Sequence, residues 1–347
     1  MSQVTGSSPS VAFPRLGWVE DLLVPALRAA VEALPDVERR VAGYHRGWVE
    51  ADGTPVQVVS QRSKAIRPAL ALLSAMAVGG SAGDALSGAV VVELVHDFTL
   101  LHDDVIDGDA LRRHRPAAWS VFGTPAAVLT GDALMVTAMR VVTEAPGPRA
   151  AAAVRELVTA LLELVEGQSL DVAFEKTPAV SAAQYLAMAE GKTGSLMGCA
   201  CALGGLLAGA DDERVAGLRE FGRRLGVAFQ CADDVLGIWG RTTRSGKPVG
   251  ADLAARKKSL PVVAALAGAC PAAERLRELY EAPRPLDEQD VVTARELVEK
   301  AGGRQAALDV AHREMSAALR ALSCARPTAD AYRQMQEIAW AMICRDR

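Results

Sequence analysis

Aromatic residues are scarce in this sequence: Phe, Trp and Tyr make up 4% of the 347 residues, although 50% are hydrophobic. The core must therefore be built from Ala, Leu and Val, a composition that favours helices. A basic excess is also lacking, since the net charge is −4, and this argues against a nucleic-acid partner. The first residues lack the basic start and the apolar core of a signal peptide.

Cysteine is sparse and shows no C-x-x-C pair. The six cysteines mostly sit inside apolar runs: Cys199, Cys201, Cys231, Cys270, Cys324 and Cys344. Their pattern predicts small buried hydrophobic residues in a reducing cytoplasm. The uncharged span 193–210 approaches the length of a membrane helix. It is rich in Gly, Ala and Cys and has no flanking basic clusters, so a buried central helix is the better prediction, with peripheral membrane association left open.

The sequence contains no long run that alternates with period two, and no low-complexity linker that would mark a domain boundary. Helical spacing is present over 19–41, 117–142 and 150–170, and Ser181 is positioned to cap a helix that continues to residue 207. Gly123, Pro125 and Gly131 are candidate breaks in the second of these runs. We expect one all-α domain over residues 1–347, a bundle of about ten or more helices, with residues 1–16 as a flexible lead-in.

One stretch, HDFTLLHDDVIDGDALRRHRP from His96 to Pro116, concentrates chemically active residues. Asp103 and Asp107 are four residues apart, so a helix places them on one face, where they repel each other. Oxygen ligands of this kind suit Mg²⁺. Arg112 and Arg113 follow, and guanidinium groups match phosphate oxygens. The combination points to a diphosphate, although an acidic helix end before a basic loop would explain one such motif by itself.

A second motif strengthens the metal hypothesis. FQCADDVLGIWG places Asp233 and Asp234 after another apolar, helix-compatible run, 130 residues beyond Asp103 and Asp104. Two Asp pairs that face each other across a bundle can hold several metal ions between them.

The two Asp motifs, together with KAIRP before them and GKPVGADLAARKKSLP after them, resemble the signature set of the trans-isoprenyl diphosphate synthases, the polyprenyl synthetase family. The matches run in the family order from Lys64 to Pro261. The resemblance implies an all-α bundle around a central cavity and a homodimer. It also implies Mg²⁺-dependent head-to-tail condensation of isopentenyl diphosphate with an allylic diphosphate.

The resemblance also assigns roles to individual residues. Three Mg²⁺ ions are expected on Asp103, Asp107 and Asp233, with Asp104 and Asp234 as further ligands or orienting groups. The expected isopentenyl diphosphate pocket comprises Lys64, Arg67, His96 and Arg113. The allylic diphosphate is expected on Arg112, Lys192, Lys247 and Lys257. Polar groups that line the site and steady the carbocation are expected at Gln168, Thr193 and Gln230. Without this context, Lys192 and Lys247 would be interpreted as surface lysines and His96 as a core histidine.

Product length is expected to depend on the residues before the first Asp motif. Helix rise places Phe98 about 7 Å and Thr99 about 6 Å deeper than Asp103. In the family, a bulky residue at the position of Phe98 can form a floor under the growing chain. Phe98, small Thr99 and two residues inside DDVID resemble short-chain members, more the twenty-carbon than the fifteen-carbon pattern. Core packing is the alternative interpretation of Phe98.

The sequence departs from the family pattern at three positions. Gly237 replaces the last Asp of the second motif, Ala65 stands where an Arg is common, and Ser63 replaces a common Gly. Two other functions compete with prenyl transfer. A class I terpene cyclase would carry an Asn/Ser/Glu-type triad in place of the second Asp pair, and no such triad is present. A non-catalytic subunit of a heteromeric synthase would have broken Asp motifs, and here both pairs are intact.

Overall fold

Apolar residues at helical spacing form helices through most of the chain. The computed structural model describes residues 16–56, 65–146, 149–240 and 250–344. Its first eight α-helices are α1 Gly17–Glu32, α2 Asp36–His45, α3 Ile66–Ala77, α4 Leu86–Ile106, α5 Ala118–Phe122, α6 Thr124–Thr143, α7 Ala150–Lys176 and α8 Ala182–Ala189. The others are α9 Ser195–Leu207, α10 Asp212–Trp239, α11 Ala251–Ala254, α12 Leu260–Leu266, α13 Pro271–Glu281, α14 Glu288–Lys300, α15 Gly303–Cys324 and α16 Ala329–Ile343. The all-α prediction is confirmed.

Helix α9 forms the centre of the bundle. Every one of its residues is buried, and it packs against α3, α7 and α10. Small residues make up most of the helix, which lets its neighbours approach closely on all sides. The span 193–210, predicted to hold a buried central helix, does so.

Two long predicted helices are interrupted. The run 19–41 divides into α1 and α2 at Pro35. The backbone of Pro35 is extended, and α2 begins at the next residue, Asp36. Proline has no backbone N–H to donate, so it does not continue the hydrogen bonding of the preceding helix. Ser181 caps α8 as predicted and forms a capping box with Gln184. The helix does not continue regularly to Leu207, since a π-helical turn, Glu190–Gly194, separates α8 from α9. Such turns often occur at functional sites.

The run 117–142 breaks at one of its three candidate positions. Gly123, with φ of +86°, separates α5 from α6. Pro125 lies in the first turn of α6. Backbone N–H groups in a first turn have no acceptor within the helix, so the N–H that proline lacks costs no hydrogen bond. Gly131 lies inside α6 and is buried.

A short hairpin after α4 was not predicted. Strands β1 (Leu111–Arg112) and β2 (Arg115–Pro116) pair in antiparallel fashion around a two-residue turn. The turn residues Arg113 and His114 have φ of +51° and +63°, a conformation that favours glycine or asparagine. Strands of two residues are too short to show an alternating pattern, so no sequence pattern predicts them.

Two segments are long and apolar enough to cross a membrane by length and composition: 82–106 and 124–143. In the first, 67% of the apolar window is buried inside the protein, compared with 39% in the second. The first therefore behaves as a core helix. The second carries exposed apolar residues, as does α7, which contacts it. The α6–α7 apolar face is the name used here for Leu129, Val136, Leu162 and Val165.

The remaining sequence expectations concern the cysteines and the chain ends. All six cysteines are unpaired. Cys199, Cys201 and Cys231 are buried, whereas Cys324 is exposed, so burial holds for half of them. Except for residue 16, the expected lead-in lies outside the described residues, and the assignment of one domain to 1–347 stays a prediction.

Candidate active site

The first Asp motif lies at the C-terminal end of α4. The N–H of Asp107 donates to the Asp103 carbonyl over 2.8 Å, so the two side chains lie one helical turn apart on one face. Burial raises the pKa of the Asp103 carboxyl, and the negative charges of Asp107 and Asp171 add to this shift. Lys192 and Arg112 oppose it. A cation bound here would relieve the repulsion between these carboxylates.

Asp104 lies about 100° around the helix from Asp103 and is almost fully buried. Its Oδ1 accepts a hydrogen bond from Arg112 Nε over 2.9 Å and a second one from Arg112 Nη2. This ion pair fixes the β1–β2 hairpin to α4. Asp104 therefore orients the hairpin, and Arg112, predicted to bind the allylic diphosphate, is held beside the first motif by a carboxylate.

Two lysines predicted to bind diphosphate contact carboxylates of the site. Lys257 Nζ lies 3.4 Å from Asp107 Oδ2, and Lys192 Nζ donates to Asp171 Oδ2 over 2.6 Å. Lys192 is carried by the π-helical turn between α8 and α9. That turn lies very close to α7: a Cβ atom on Gly167 of α7 would be only 2.1 Å from Lys192 N. Glycine at 167 thus permits the approach that brings Lys192 to Asp171.

Asp171 was not identified from the sequence. It follows Gln168 by three residues on α7, so both project from nearby positions on the helix surface. Within the described chain, the Gln168 Nε2 amide is buried and makes no hydrogen bond. A Gln and an Asp one turn apart, directed at the same site, provide a signal that could have identified Asp171.

Asp234 in the second motif is buried and forms the centre of a hydrogen-bond network. Its carboxylate accepts from Tyr185 OH (2.5 Å), the Leu260 N–H (2.8 Å) and Gln230 Nε2 (3.0 Å). Burial raises the pKa of Asp234 to about 6, and these three hydrogen bonds counteract the rise. Thr193 Oγ1 in turn donates to Gln230 Oε1 over 2.9 Å. The network ties α8, α10, α12 and the π-helical turn together, which gives Asp234, Gln230 and Thr193 a positioning role.

The neighbouring Asp233 interacts electrostatically with Arg67 on α3. Burial lowers the pKa of Arg67, and the charges of Glu93 and Asp233 oppose this shift. Arg67 Nη1 lies 3.3 Å from His96 Nε2. Because arginine has donors only, His96 Nε2 is the acceptor and its proton lies on Nδ1. Burial, followed by the charge of Arg67, lowers the pKa of His96 well below its usual value, so the ring is neutral.

A buried ionic cluster near Arg67 and His96 was also not predicted from the sequence. Arg46, just beyond α2, pairs with Asp97 and, over 3.0 Å, with Glu93. Burial raises the pKa of Asp97 to about 6, and the Arg46 charge opposes the rise. Arg113 is half-buried in the same region. Burial lowers its pKa, and the charges of Asp97 and Glu93 oppose this shift.

The sequence did contain a signal for this cluster. Glu93 and Asp97 are four residues apart inside the most apolar part of α4, and buried carboxylates are rare unless they are paired. Three guanidinium groups, at residues 46, 67 and 113, lie near these two carboxylates, and Asp233 also acts on Arg67. Lys64 and Lys247, which were predicted to contact diphosphates, lie outside the described residues.

Phe98 lies below the first motif as predicted from helix geometry. It is 7% exposed, and its ring packs edge to face against His102 with centroids 4.8 Å apart. The neighbouring Thr99 Oγ1 donates to the His96 carbonyl over 2.8 Å, which ties its side chain to the helix backbone. Phe98 is thus the bulkier of the two predicted chain-length residues and is fixed in place.

The donor set agrees with Mg²⁺ bound together with substrate. No group of three His, Cys, Asp or Glu side chains in the described ranges is close enough to enclose a metal ion. Mg²⁺ is commonly held by one or two carboxylates, with water and substrate phosphates completing its coordination. The pair Asp103 and Asp107 meets that requirement, and it faces the lysines expected to contact the same phosphates.

Comparison with known proteins defines the class. The structure superposes on the crystal structure of polyprenyl synthetase from Streptomyces coelicolor A3(2) with a TM-score of 0.89 and 41% sequence identity, covering 94% of this chain and 98% of that one. The sequence is 47% identical over 323 residues to geranylgeranyl diphosphate synthase of Mycobacterium tuberculosis, covering 92% of this chain and 90% of the relative. It is 41% identical over 306 residues to (2E,6E)-farnesyl diphosphate synthase of Mycobacterium bovis, covering 87% and 85%.

The fold, the two Asp motifs and these relatives define a prenyltransferase that elongates trans-prenyl chains. The family model named polyprenyl synthetase matches residues 54–298. The chain belongs to the polyprenyl synthetase family.

Proposed function

We propose that this enzyme condenses isopentenyl diphosphate head to tail with an allylic diphosphate and releases geranylgeranyl diphosphate as its all-trans product. The observation that carries the proposal is the position of Lys257. Its Nζ lies 3.4 Å from Asp107 Oδ2, so a cation from the segment after the second Asp motif reaches the carboxylates of the first. Carboxylates and lysines that share one space suit a metal-bound diphosphate.

The reaction breaks the C–O bond between the allylic carbon and its diphosphate, and the double bond of isopentenyl diphosphate attacks the resulting carbocation. We assign Asp103, Asp107 and Asp233 to hold Mg²⁺, three ions by family resemblance, whose Lewis acidity would neutralise the departing pyrophosphate. Lys192 and Lys257 bind the same diphosphate by exchanging their contacts with Asp171 and Asp107 for phosphate oxygens. Arg112, held by Asp104, presents its remaining N–H groups to the same substrate.

Isopentenyl diphosphate is assigned to the pocket of Arg67, His96 and Arg113, which Lys64 would complete. The guanidinium groups of Arg67 and Arg113 attract the diphosphate, while neutral His96 keeps its Nδ1–H as a donor without adding charge. The condensation leaves a cation that must lose a proton. In the family, the released pyrophosphate is the usual candidate for that base, and we adopt the same assignment here.

Chain length is assigned to Phe98. A prenyl chain that extends from Asp103 into the apolar interior meets this ring about 7 Å below the carboxylate. The rigid edge-to-face contact with His102 supports its function as a floor. The 47% identical relative named geranylgeranyl diphosphate synthase supports a product of twenty carbons over the fifteen of the second relative.

We also propose a homodimer formed through the α6–α7 apolar face. Leu162 is 69% exposed and Val136 is 64% exposed, and neighbouring exposed apolar residues on two helices are a common mark of a protein interface. A reducing cytoplasm is the assigned compartment. Six unpaired cysteines, three of them buried, agree with that environment.

The experiment that tests the function offers the purified enzyme isopentenyl diphosphate with dimethylallyl, geranyl or farnesyl diphosphate, with Mg²⁺ and with a chelator. We expect products that become extractable alcohols only after phosphatase treatment, with twenty carbons, and no product with chelator. Turnover that survives chelation would refute the metal-dependent mechanism. Products limited to fifteen carbons would refute the assigned chain length.

A further inference from the structure

A group of three charged residues holds the π-helical turn that carries Lys192. Arg223 of α10 donates from Nη1 to Glu163 Oε2 of α7 over 2.5 Å. On its other side, its Nη2 and Nε lie 3.0 and 3.1 Å from Glu190 Oε1. Glu190 is the first residue of the turn Glu190–Gly194. One guanidinium therefore ties the turn to the two long helices beside it, and we call these three residues the Arg223 clamp.

The backbone of the turn packs against both helices through glycine. A Cβ atom on Gly191 would lie 2.8 Å from the Glu163 carbonyl oxygen of α7. One on Gly226 of α10 would lie 2.6 Å from Gly194 Cα. Such contacts permit close approach, but they lack the interlocking side chains that normally set the orientation of packed helices. Polar side-chain bonds must therefore orient the turn, and the Arg223 clamp supplies three of them.

Lys192 lies in the middle of the turn, so the geometry of the turn sets the direction of its side chain. The N–H of Ser195 closes the turn by donating to the Glu190 carbonyl, five residues back instead of the four of an α-helix. Relaxation to an α-helix would shift the register by one residue, a rotation of roughly 100°. Glu190 resists this change at two points, because its carbonyl closes the turn and its carboxylate binds Arg223.

We propose that Arg223 is a positioning residue for prenyl transfer, which holds the π-helical turn in the orientation from which Lys192 binds the allylic diphosphate. The proposal rests on the proposed function, which assigns that diphosphate to Lys192. The guanidinium of Arg223 is engaged by two carboxylates, so its effect on the substrate passes through Lys192. The lysine then exchanges Asp171 for phosphate oxygens on a backbone that is already in place, which reduces the entropy lost on binding.

Arg219 provides a matched control one helical turn before Arg223 on α10. Its Nε and Nη2 donate to the two carboxylate oxygens of Glu156 on α7 over 2.8 and 2.7 Å, a bridge that includes no residue of the π-helical turn. We expect Arg223→Met and Arg219→Met to lower the melting temperature by similar amounts. Only Arg223→Met should lower kcat/KM for farnesyl diphosphate, by about 10-fold, the effect of losing one charged hydrogen bond. KM for isopentenyl diphosphate should be unchanged.

Lys192→Met separates an effect through Lys192 from a general loss of stability. Alone it should lower kcat/KM for farnesyl diphosphate at least as much as Arg223→Met does. Adding Arg223→Met to it should cause no further loss, because both changes remove the same interaction. Three results would overturn the proposal: a wild-type kcat/KM in Arg223→Met, additive losses in the double variant, or an equal loss in Arg219→Met.

A second set of variants approaches the clamp from the turn. If Arg223→Met does not fold, Glu190→Leu removes one side of the clamp and should repeat the loss in kcat/KM. Glu190→Gln keeps the acceptor oxygen and should show less of that loss; equal losses in the two variants would count against the clamp. An unchanged kcat/KM in Lys192→Met would instead refute the assignment of the allylic diphosphate to Lys192 in the proposed function. The two failures are therefore distinguishable.

Discussion

Removing the hydroxyl of Tyr185 tests whether the network around Asp234 stabilises the site. In the structure this hydroxyl is buried and donates to Asp234 Oδ2 over 2.5 Å. Hydrogen bonds to charged groups contribute roughly 1.5–3 kcal/mol, compared with about 1 kcal/mol between neutral groups. We expect Tyr185→Phe to lose about 2 kcal/mol at pH 7.5. For a chain of this size the loss corresponds to about 3 °C in melting temperature.

The cost of Tyr185→Phe should depend on pH in a defined direction. The hydroxyl lowers the pKa of Asp234, which burial raises to about 6, so its removal raises that pKa further. Above the raised pKa of the variant, the carboxylate is charged in both proteins and the full difference is present. As the pH falls below 6 the group becomes protonated in both proteins, and the difference should shrink to about 1.5 °C at pH 5, the value for a neutral hydrogen bond.

Tyr280→Phe is the matched control. The Tyr280 hydroxyl is also buried, but within the described residues it makes no hydrogen bond. Its removal should leave the melting temperature unchanged or raise it, because an unsatisfied buried hydroxyl is unfavourable. Equal losses in Tyr185→Phe and Tyr280→Phe, or a loss in Tyr185→Phe that does not change with pH, would refute this account of the Asp234 network.

Three further substitutions address other parts of the site. Arg46→Met should lower stability by roughly 3–5 kcal/mol, seen as a lower melting temperature, because Asp97 stays buried without its cation; the exposed Arg39→Met should cost less than about 1 kcal/mol. His114→Gly should add about 0.5 kcal/mol, because φ of +63° suits glycine; a lower melting temperature would contradict this. Phe98→Ala should give products longer than twenty carbons in chain-length analysis. An unchanged product would indicate that Phe98 only packs in the core and does not limit chain length.

The sequence predicted those parts of the site that lie in short contiguous motifs. Asp103, Asp107 and the residues beside them follow one another on a single helix, so helix geometry alone sets their relative positions. The all-α fold was equally accessible, because apolar periodicity extends through the chain. The order of four motifs identified the family before any distance was known.

The residues that were missed act through contacts distant in sequence. Tyr185 reaches Asp234 across 49 residues and Arg46 reaches Asp97 across 51, separations that no local pattern encodes. The π-helical turn under Lys192 arises from the packing of α7 and has no local signal.

The central claim is that an allylic diphosphate and isopentenyl diphosphate bind in one site, where their prenyl groups are joined and one pyrophosphate is released. The most direct test incubates the enzyme with Mg²⁺, farnesyl diphosphate and isotopically labelled isopentenyl diphosphate, followed by mass spectrometry of the untreated reaction. The account predicts a twenty-carbon diphosphate that contains one labelled five-carbon unit. A hydrocarbon made from farnesyl diphosphate alone, without label, would contradict it and would indicate a cyclase.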